Sequence, residues 1–381
     1  MTNSLRQAAG GLLVVGLAGK ELSAMERAWL RLIRPAGIIL YRRNIANARQ
    51  TRALLDDATA FCTAHSTRFV DVEGGTVNRL GEALAPIPSA QAVAIAQKKS
   101  GNGDLAREHG ALIAQAVRAF GFNTALAPMV DLALPESADV MQTRCAAPAA
   151  ADVVAYARAF LRGLKEKGAI GCGKHFPGLG GGTRDSHLET PAIRRNWQDM
   201  WQEDLEPYRA LRDEMPIVMI NHAAYPLTAD ATQPASVSKF WIETILRKRI
   251  GYRGIILSDD LEMGGVLKFM PIQQAAVAAV RVGSDLVEVC HHPEPILETY
   301  EALVTEGERS AAFRKILFVR AAETKRRKAR VFAAPIAPAL SEKQFQALRA
   351  RVLRFGEKIA RLAPGIDTPR AATPVTLVGS A

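Results

Sequence analysis

Aromatic residues are sparse, at 6% of the 381-residue chain, and cysteine is sparser, with four in all. Cys62, Cys145, Cys172 and Cys290 lie far apart and include no CxxC pair. That spacing argues against a zinc ribbon or a disulfide-stapled miniature fold, and a chain this long needs no staples to bury a core. The expectation is four reduced thiols in a reducing compartment, the cytoplasm. Long apolar runs are missing too, so no bilayer-spanning segment and no membrane partner are expected. The nearest approach, GLLVVGLAG near the N-terminus, runs into a helix-start pattern, Ser23 followed by Glu26. It therefore reads as a first strand rather than a secretory leader.

Charge is plentiful and unbalanced. Formal net charge is +11, with Lys and Arg spread along the sequence and densest in KRRKARV (325–331), within a late helical stretch. No nucleic-acid-binding motif accompanies the charge, so the run reads as a solvated basic surface and nucleic acid is not an expected partner. Hydrophobic content of 48% suits a globular enzyme-sized chain.

Eight short apolar runs punctuate the sequence: 12–17, 37–41, 68–73, 124–131, 169–175, 216–222, 254–260 and 284–289. Amphipathic stretches separate most of them, such as 25–33, 106–120, 155–168 and 241–250. Runs that are apolar throughout suit parallel strands covered by helices on one face and packed on the other. Eight β-α units predict an α/β fold, a single (β/α)8 TIM-type barrel with a C-terminal helical extension. A doubly wound sheet is the alternative. The predicted division is a catalytic barrel over 1–340, then a C-terminal helix and flexible tail over 341–381, poorly ordered from about residue 364.

Ionisable residues gather at the carboxyl ends of these strands: Asp71 and Glu73, Asp131, Lys174 and His175, His222, Asp259 and Asp260. Barrel enzymes assemble their sites at that end from several strands at once. After the fifth strand comes KHFPGLGGGTRDSH, in which GLGGG cannot hold a helix or strand and predicts a mobile loop. The run lacks the third glycine of GxGxxG and the Lys-Ser/Thr of a P-loop, so phosphate binding is not expected. Asp185 and His187, two residues apart, can share one face of an extended segment, where a carboxylate stabilises a protonated ring and the pair can exchange a proton near neutrality. Asp259 should face the bowl and Asp260, alternating away, should brace the loop. On composition alone, Asp259 with His175, His187 and His222 also fits a metal-dependent barrel hydrolase. Against this, there is no HExxH, no strand-one HxH, and Lys174 adds a repelling charge.

VDVEGGTVNRL (70–80), KHFPGLGGGTRDSHLETP (174–191), NHAAYP (221–226) and SDDLEM (258–263) occur in this order. Together they resemble the family 3 glycoside hydrolases, specifically the single-domain bacterial β-N-acetylhexosaminidases of the NagZ type. The resemblance implies a retaining exo-β-N-acetylglucosaminidase that removes N-acetylglucosamine from fragments carrying 1,6-anhydro-N-acetylmuramic acid and peptide, in cytoplasmic peptidoglycan recycling. It implies Asp259 as nucleophile and His187 as acid/base with Asp185 beside it. Asp71, Arg79, Arg144, the pair Lys174–His175 and His222 would hold the sugar. No cofactor or metal is implied; the partner is a small saccharide or muropeptide, and the protein is expected to act as a monomer. Leu179, Val72 and Thr76 stand where the family usually has His, Gln and Arg. A non-catalytic sugar-binding barrel would share these motifs.

Overall fold

The computed structural model describes residues 2–101, 103–182 and 190–367. Each of the eight apolar runs overlaps a strand: β1 (Leu13–Val15), β2 (Gly37–Leu40), β3 (Thr67–Val70), β4 (Thr124–Ala125), β5 (Ile170–Phe176), β6 (Ile217–Ile220), β7 (Ile255–Asp260) and β8 (Leu286–Val289). They pair in parallel around a closed barrel, each beside its sequence neighbours, with β1 completing the ring against β8. The fold is the expected (β/α)8 barrel followed by C-terminal helices.

Alternation along the strands sorts the core into two layers. Val14, Ile39, Phe69, Leu126, Cys172, Ile217, Met219, Ile255, Leu257 and Leu286 fill the barrel's interior. Their strand neighbours, such as Val15, Ile38, Leu40, Val70, Val218, Ile220, Ile256 and Val287, pack outward against the helices. The interior is thus a plug that leaves only the carboxyl mouth open.

Helix entry follows the local chemistry. Ser23 and Glu26 form the capping box that their spacing announces, with Glu26 N donating to Ser23 Oγ at 3.1 Å and Ser23 N donating to Glu26 Oε2 at 2.8 Å. The fourth run yields only a two-residue strand, although backbone bonds continue past it, with Leu126 N donating to Val70 O at 3.0 Å and Ala127 O accepting from Cys172 N at 2.8 Å. An isolated bridge joins Met129 to Lys174 beyond them. A helix not anticipated from sequence, Thr2–Gly10, buries Leu5, Ala8 and Ala9.

The basic run at 325–331 is not a purely solvated face. Arg327 pairs with the fully buried Asp285, and Lys328, 2% exposed, donates to Ala36 O at 2.7 Å and Thr63 Oγ1 at 2.8 Å. Burial lowers the Lys328 ammonium to about 8. Phe332 packs on Phe69 and closes the barrel's amino end, so these cations hold the closing helix in place. Among the described residues no helix is long and apolar enough to cross a membrane.

The C-terminal helix Glu342–Leu362 docks through Phe355, which stacks on His109 with ring centroids 6.0 Å apart. Beyond it, Asp367 Oδ2 accepts a hydrogen bond from Ser89 N at 2.9 Å, so the tail expected to be loose from 364 is pinned at that point. Residues 368–381 lie outside the described residues.

His109 is fully buried beside Tyr156, and burial pushes its imidazole down to about 3. It is therefore neutral in the fold. Between about pH 6.5 and pH 3 the unfolded chain binds a proton here that the native state refuses, so stability falls as pH is lowered through this window. The slope from this residue is about 1.4 kcal/mol per pH unit. Urea denaturation between pH 7 and pH 5, above the carboxylate range, should show that fall. His109→Gln should flatten it by about one proton's worth.

Candidate active site

A cavity of about 530 Å³ opens at the carboxyl mouth, within the usual range of about 300–1,000 Å³ for small-molecule sites. Ile39, Leu126 and Met219, the top of the interior plug, form its apolar floor. Around them stand Asp71, Arg79, Arg144, Lys174, His175, Asp259, Asp260, Glu262, Glu288, Tyr41 and His291.

Asp71 leaves β3 on the inward side, two residues after Phe69. The chain then folds into a hairpin in which Val72–Gly74 pairs with Val77–Asn78. Its turn requires glycine: Gly74 and Gly75 have φ of +98° and +59°, and a Cβ on Gly74 would lie 2.0 Å from Pro88 O. The hairpin sets Glu73 opposite Arg144, which grips it with Nε–Oε2 and Nη2–Oε1 bonds of 2.9 Å each. Lys174, 3% exposed, lies between two carboxylates, 2.7 Å from Glu73 Oε1 and 2.9 Å from Asp71 Oδ1. Arg79 reaches Asp71 at 3.9 Å and lies over the Tyr41 ring. Burial opposes ionisation of both acids, but Lys174 and Arg79 outweigh it at Asp71, and Arg144 and Lys174 outweigh it at Glu73, so both pKa values are lowered. Burial likewise opposes the Lys174 charge, but Asp71 and Glu73 win and raise its pKa.

Glu73 is thus the keystone of a buried charge cluster. Glu73→Ala would leave Arg144 without its only acidic partner among the described residues and Lys174 with one of two. Uncompensated buried charge costs about 3–5 kcal/mol, so a loss of that size is expected in urea denaturation with an unchanged slope.

The strand β5 loses register between Gly173 and Phe176, and its Lys174–His175 peptide is cis. Regular alternation is broken there, and both side chains line the cavity. Asp131 fixes the second of them: its Oδ2 accepts from His175 N at 3.0 Å and from His175 Nδ1 at 2.8 Å, while Oδ1 accepts from Leu179 N at 2.7 Å. Nδ1 is therefore the donor, and Nε2 is left for the cavity. Leu179 adds an apolar wall.

Asp259 follows Ile255 and Leu257 on the inward side of β7 and lines the cavity, half-buried. Its Oδ1 accepts from Asp260 N at 3.0 Å, which orients the carboxylate. Asp260 braces the strand end, with Oδ1 accepting from Glu262 N at 3.1 Å and Oδ2 3.2 Å from His291 Nε2.

His222 does not join this group. Val218 and Ile220 face the helices, so alternation turns His222 outward as well. It is fully buried, with Nε2 donating to Asp260 O at 2.9 Å and Nδ1 accepting from Ser236 Oγ at 2.7 Å. Burial lowers its pKa. It supports the β7 terminus from behind and has no free nitrogen for sugar or metal. Among the described residues, no cluster of three or more His, Cys, Asp or Glu side chains is arranged to hold a metal.

Asp185 and His187 lie outside the described residues. The glycines leading to them are described, and they are close-packed: a Cβ on Gly180 would lie 2.6 Å from Leu132 O, and one on Gly181 2.9 Å from Arg195 Cδ. Close approach accounts for glycine at these two positions without any swing. Gly182 lines the cavity, and on the far side of the segment Thr190 Oγ1 donates to Gly265 O at 2.6 Å. Sequence reasoning missed Tyr41, Glu288 and His291. The signals were present: Tyr41 follows an apolar strand in inward phase with Ile39, and Glu288 is a lone carboxyl inside LVEV.

Comparison with known proteins agrees with this geometry. Residues 4–318 match the glycosyl hydrolase family 3 N terminal domain. A β-hexosaminidase of Idiomarina loihiensis is 32% identical over 302 residues, 79% of this chain and 90% of that protein. The crystal structure of native NagZ from Neisseria gonorrhoeae superposes with a TM-score of 0.72 at 28% identity, covering 94% of this chain and 98% of that one. A family 3 β-N-acetylglucosaminidase from a Paenibacillus strain superposes at 0.81 with 29% identity, covering 92% of this chain and 68% of the other. With its barrel, its acidic residue at the end of β7 and this similarity along most of its length, the chain belongs to glycosyl hydrolase family 3 and is a glycoside hydrolase of the β-hexosaminidase type.

Proposed function

We propose that the enzyme is a retaining exo-β-N-acetylglucosaminidase acting through a covalent glycosyl-enzyme on Asp259. The observation that carries this reading is the placement of Asp259. Its carboxylate is held by the Asp260 N–H, faces the cavity, and lies above a floor sealed by Ile39, Leu126 and Met219.

In the first step an Asp259 oxygen attacks the anomeric carbon while the bond to the aglycone oxygen breaks and His187 gives that oxygen a proton. In the second, water loses a proton to His187 and displaces Asp259. Two inversions at one carbon return the starting configuration. Asp185 stabilises the imidazolium that is present before the first step and is restored by the second. Asp71 accepts from sugar hydroxyls, and Arg79, Arg144, Lys174 and the His175 ring present donors to hydroxyl and acetamido oxygens. The substrate in this reading is a muropeptide fragment, N-acetylglucosamine joined to 1,6-anhydro-N-acetylmuramic acid, and the setting is cytoplasmic wall recycling. The exposed Arg42 at the cavity rim suits such an acidic aglycone.

The test is a slow-substrate quench followed by peptide mapping. An N-acetylhexosamine mass on the peptide spanning Ser258–Asp260, and a β-configured sugar as the first product by NMR, are expected. An α-configured first product, or activity abolished by exhaustive chelation and restored by a metal, would overturn the assignment.

A further inference from the structure

One carboxyl group in the cavity has no part in the reaction described above. Glu288 is the third residue of β8, between Val287 and Val289, which face the helices. Leu286 faces the barrel interior, so Glu288 stands directly above it on the inward side and lines the cavity with Asp259. It is 1% exposed, its backbone N donates to Ser258 Oγ at 3.1 Å, and its Oε1 has no hydrogen-bond partner among the described residues.

Its surroundings offer little compensation. Asp259, Asp260 and Asp71 are its acidic neighbours, and the cation that faces it, Lys174, is committed to Asp71 and Glu73. Tyr41, Cys172 and Cys290 stand close by as neutral groups. Burial first, then the three carboxylates, push the Glu288 pKa well above the usual range. A protonated carboxyl has one O–H to donate and a carbonyl oxygen to accept. An apolar side chain would fill this position on the plug without leaving a buried polar atom unmatched. A polar group that enters the cavity beside Glu288 can supply the missing partner.

We infer that Glu288 is a specificity-determining residue of the hydrolase, contacting the sugar itself and hydrogen-bonding one polar substituent of the terminal residue next to the bond that Asp259 attacks. The inference rests on the reading of this cavity as the sugar site. Hexosides that bear the substituent are selected, because one without it leaves the buried acid unmatched.

The experiment measures kcat/KM for wild type, Glu288→Leu and Glu288→Gln on an aryl N-acetylglucosaminide and on its 3-, 4- and 6-deoxy and 2-deacetamido analogues. Glu288→Leu is expected to lose about 10-fold on the parent and less than twofold on the single analogue lacking the contacted group. Wild type should lose about the same 10-fold on that analogue. Glu288→Gln keeps a donor and an acceptor and should retain at least a third of the parent activity. The leucine variant should melt no lower than wild type, so its loss is not one of folding. The acidic limb of the kcat/KM profile should stay in place in Glu288→Gln, because a neutral group is being replaced by a neutral one. Equal losses on every analogue, no loss in Glu288→Leu, or a downward move of the acidic limb in Glu288→Gln would each overturn the proposal. If wild type itself failed to cleave the parent, the sugar reading of the cavity would fall instead, which separates the two failures.

Discussion

Asp259→Asn should lower kcat by a factor on the order of 10⁴–10⁶, the scale of losing a catalytic nucleophile, while the affinity for N-acetylglucosamine stays within about threefold of wild type. The amide is isosteric with the carboxylate, and its oxygen can still accept from Asp260 N, so the end of β7 keeps its shape. In the proposed mechanism what is lost is a charge that forms a bond in the transition state, and sugar hydroxyls in the ground state gain little from it. Asp260→Asn provides the contrast. Both Asp260 oxygens are already occupied, by Glu262 N and by His291, so its role is to hold the loop. A loss of roughly 10-fold is expected there, the scale of one hydrogen bond to a charged group. Isothermal titration with N-acetylglucosamine and single-turnover kinetics separate binding from chemistry. An Asp259→Asn enzyme keeping a tenth of its kcat, or an Asp260→Asn enzyme falling as far as Asp259→Asn, would refute the assignment.

The alternation that distinguishes these two aspartates also explains how far the sequence could be read. Strands buried on both faces show up as continuous apolar runs, and all eight were visible for that reason. Where the strand phase is carried past the last apolar residue, it places Tyr41 with Ile39, Asp71 with Phe69, Asp259 with Leu257 and Glu288 with Leu286 on the cavity side. The same phase turns His222 toward the helices with Val218 and Ile220. His222 was misread because its position at a strand's carboxyl end was weighed and its phase was not. Its actual partner, Ser236, is brought to it only by tertiary packing.

Other features had no local signature. The bidentate Arg144–Glu73 pair joins residues 71 positions apart, and nothing near MQTRCAAP reveals it. Lys174 and His175 share the cavity only because β5 breaks register between them, a departure from the period-two rule that a one-dimensional pattern cannot show. The glycines at 180 and 181 read as freedom to move, whereas Leu132 and Arg195 pack against the space their side chains would occupy. The basic run at 325–331 read as surface because its spacing cannot show that Lys328 meets Ala36 O under the barrel.

His187→Ala carries the second-largest expected effect, and its signature lies in which substrates suffer. A general acid/base is worth about 10²–10⁴-fold. In the first step the proton is needed in proportion to the basicity of the departing oxygen. A sugar alkoxide, a poor leaving group, should therefore depart roughly 10³-fold more slowly, while a dinitrophenolate, which leaves without protonation, should depart within about threefold of the wild-type rate. In the second step the water still needs a base whatever the first leaving group was. The variant should consequently show a burst of dinitrophenolate followed by slow turnover, as the Asp259 glycosyl ester accumulates. Azide needs no base to attack that ester. It should speed the steady state and yield a glycosyl azide of retained β-configuration, because it displaces Asp259 from the face the aglycone left. A His187→Ala enzyme slowed equally on both leaving groups, with no burst and no response to azide, would remove proton transfer from His187 while leaving Asp259 as the nucleophile.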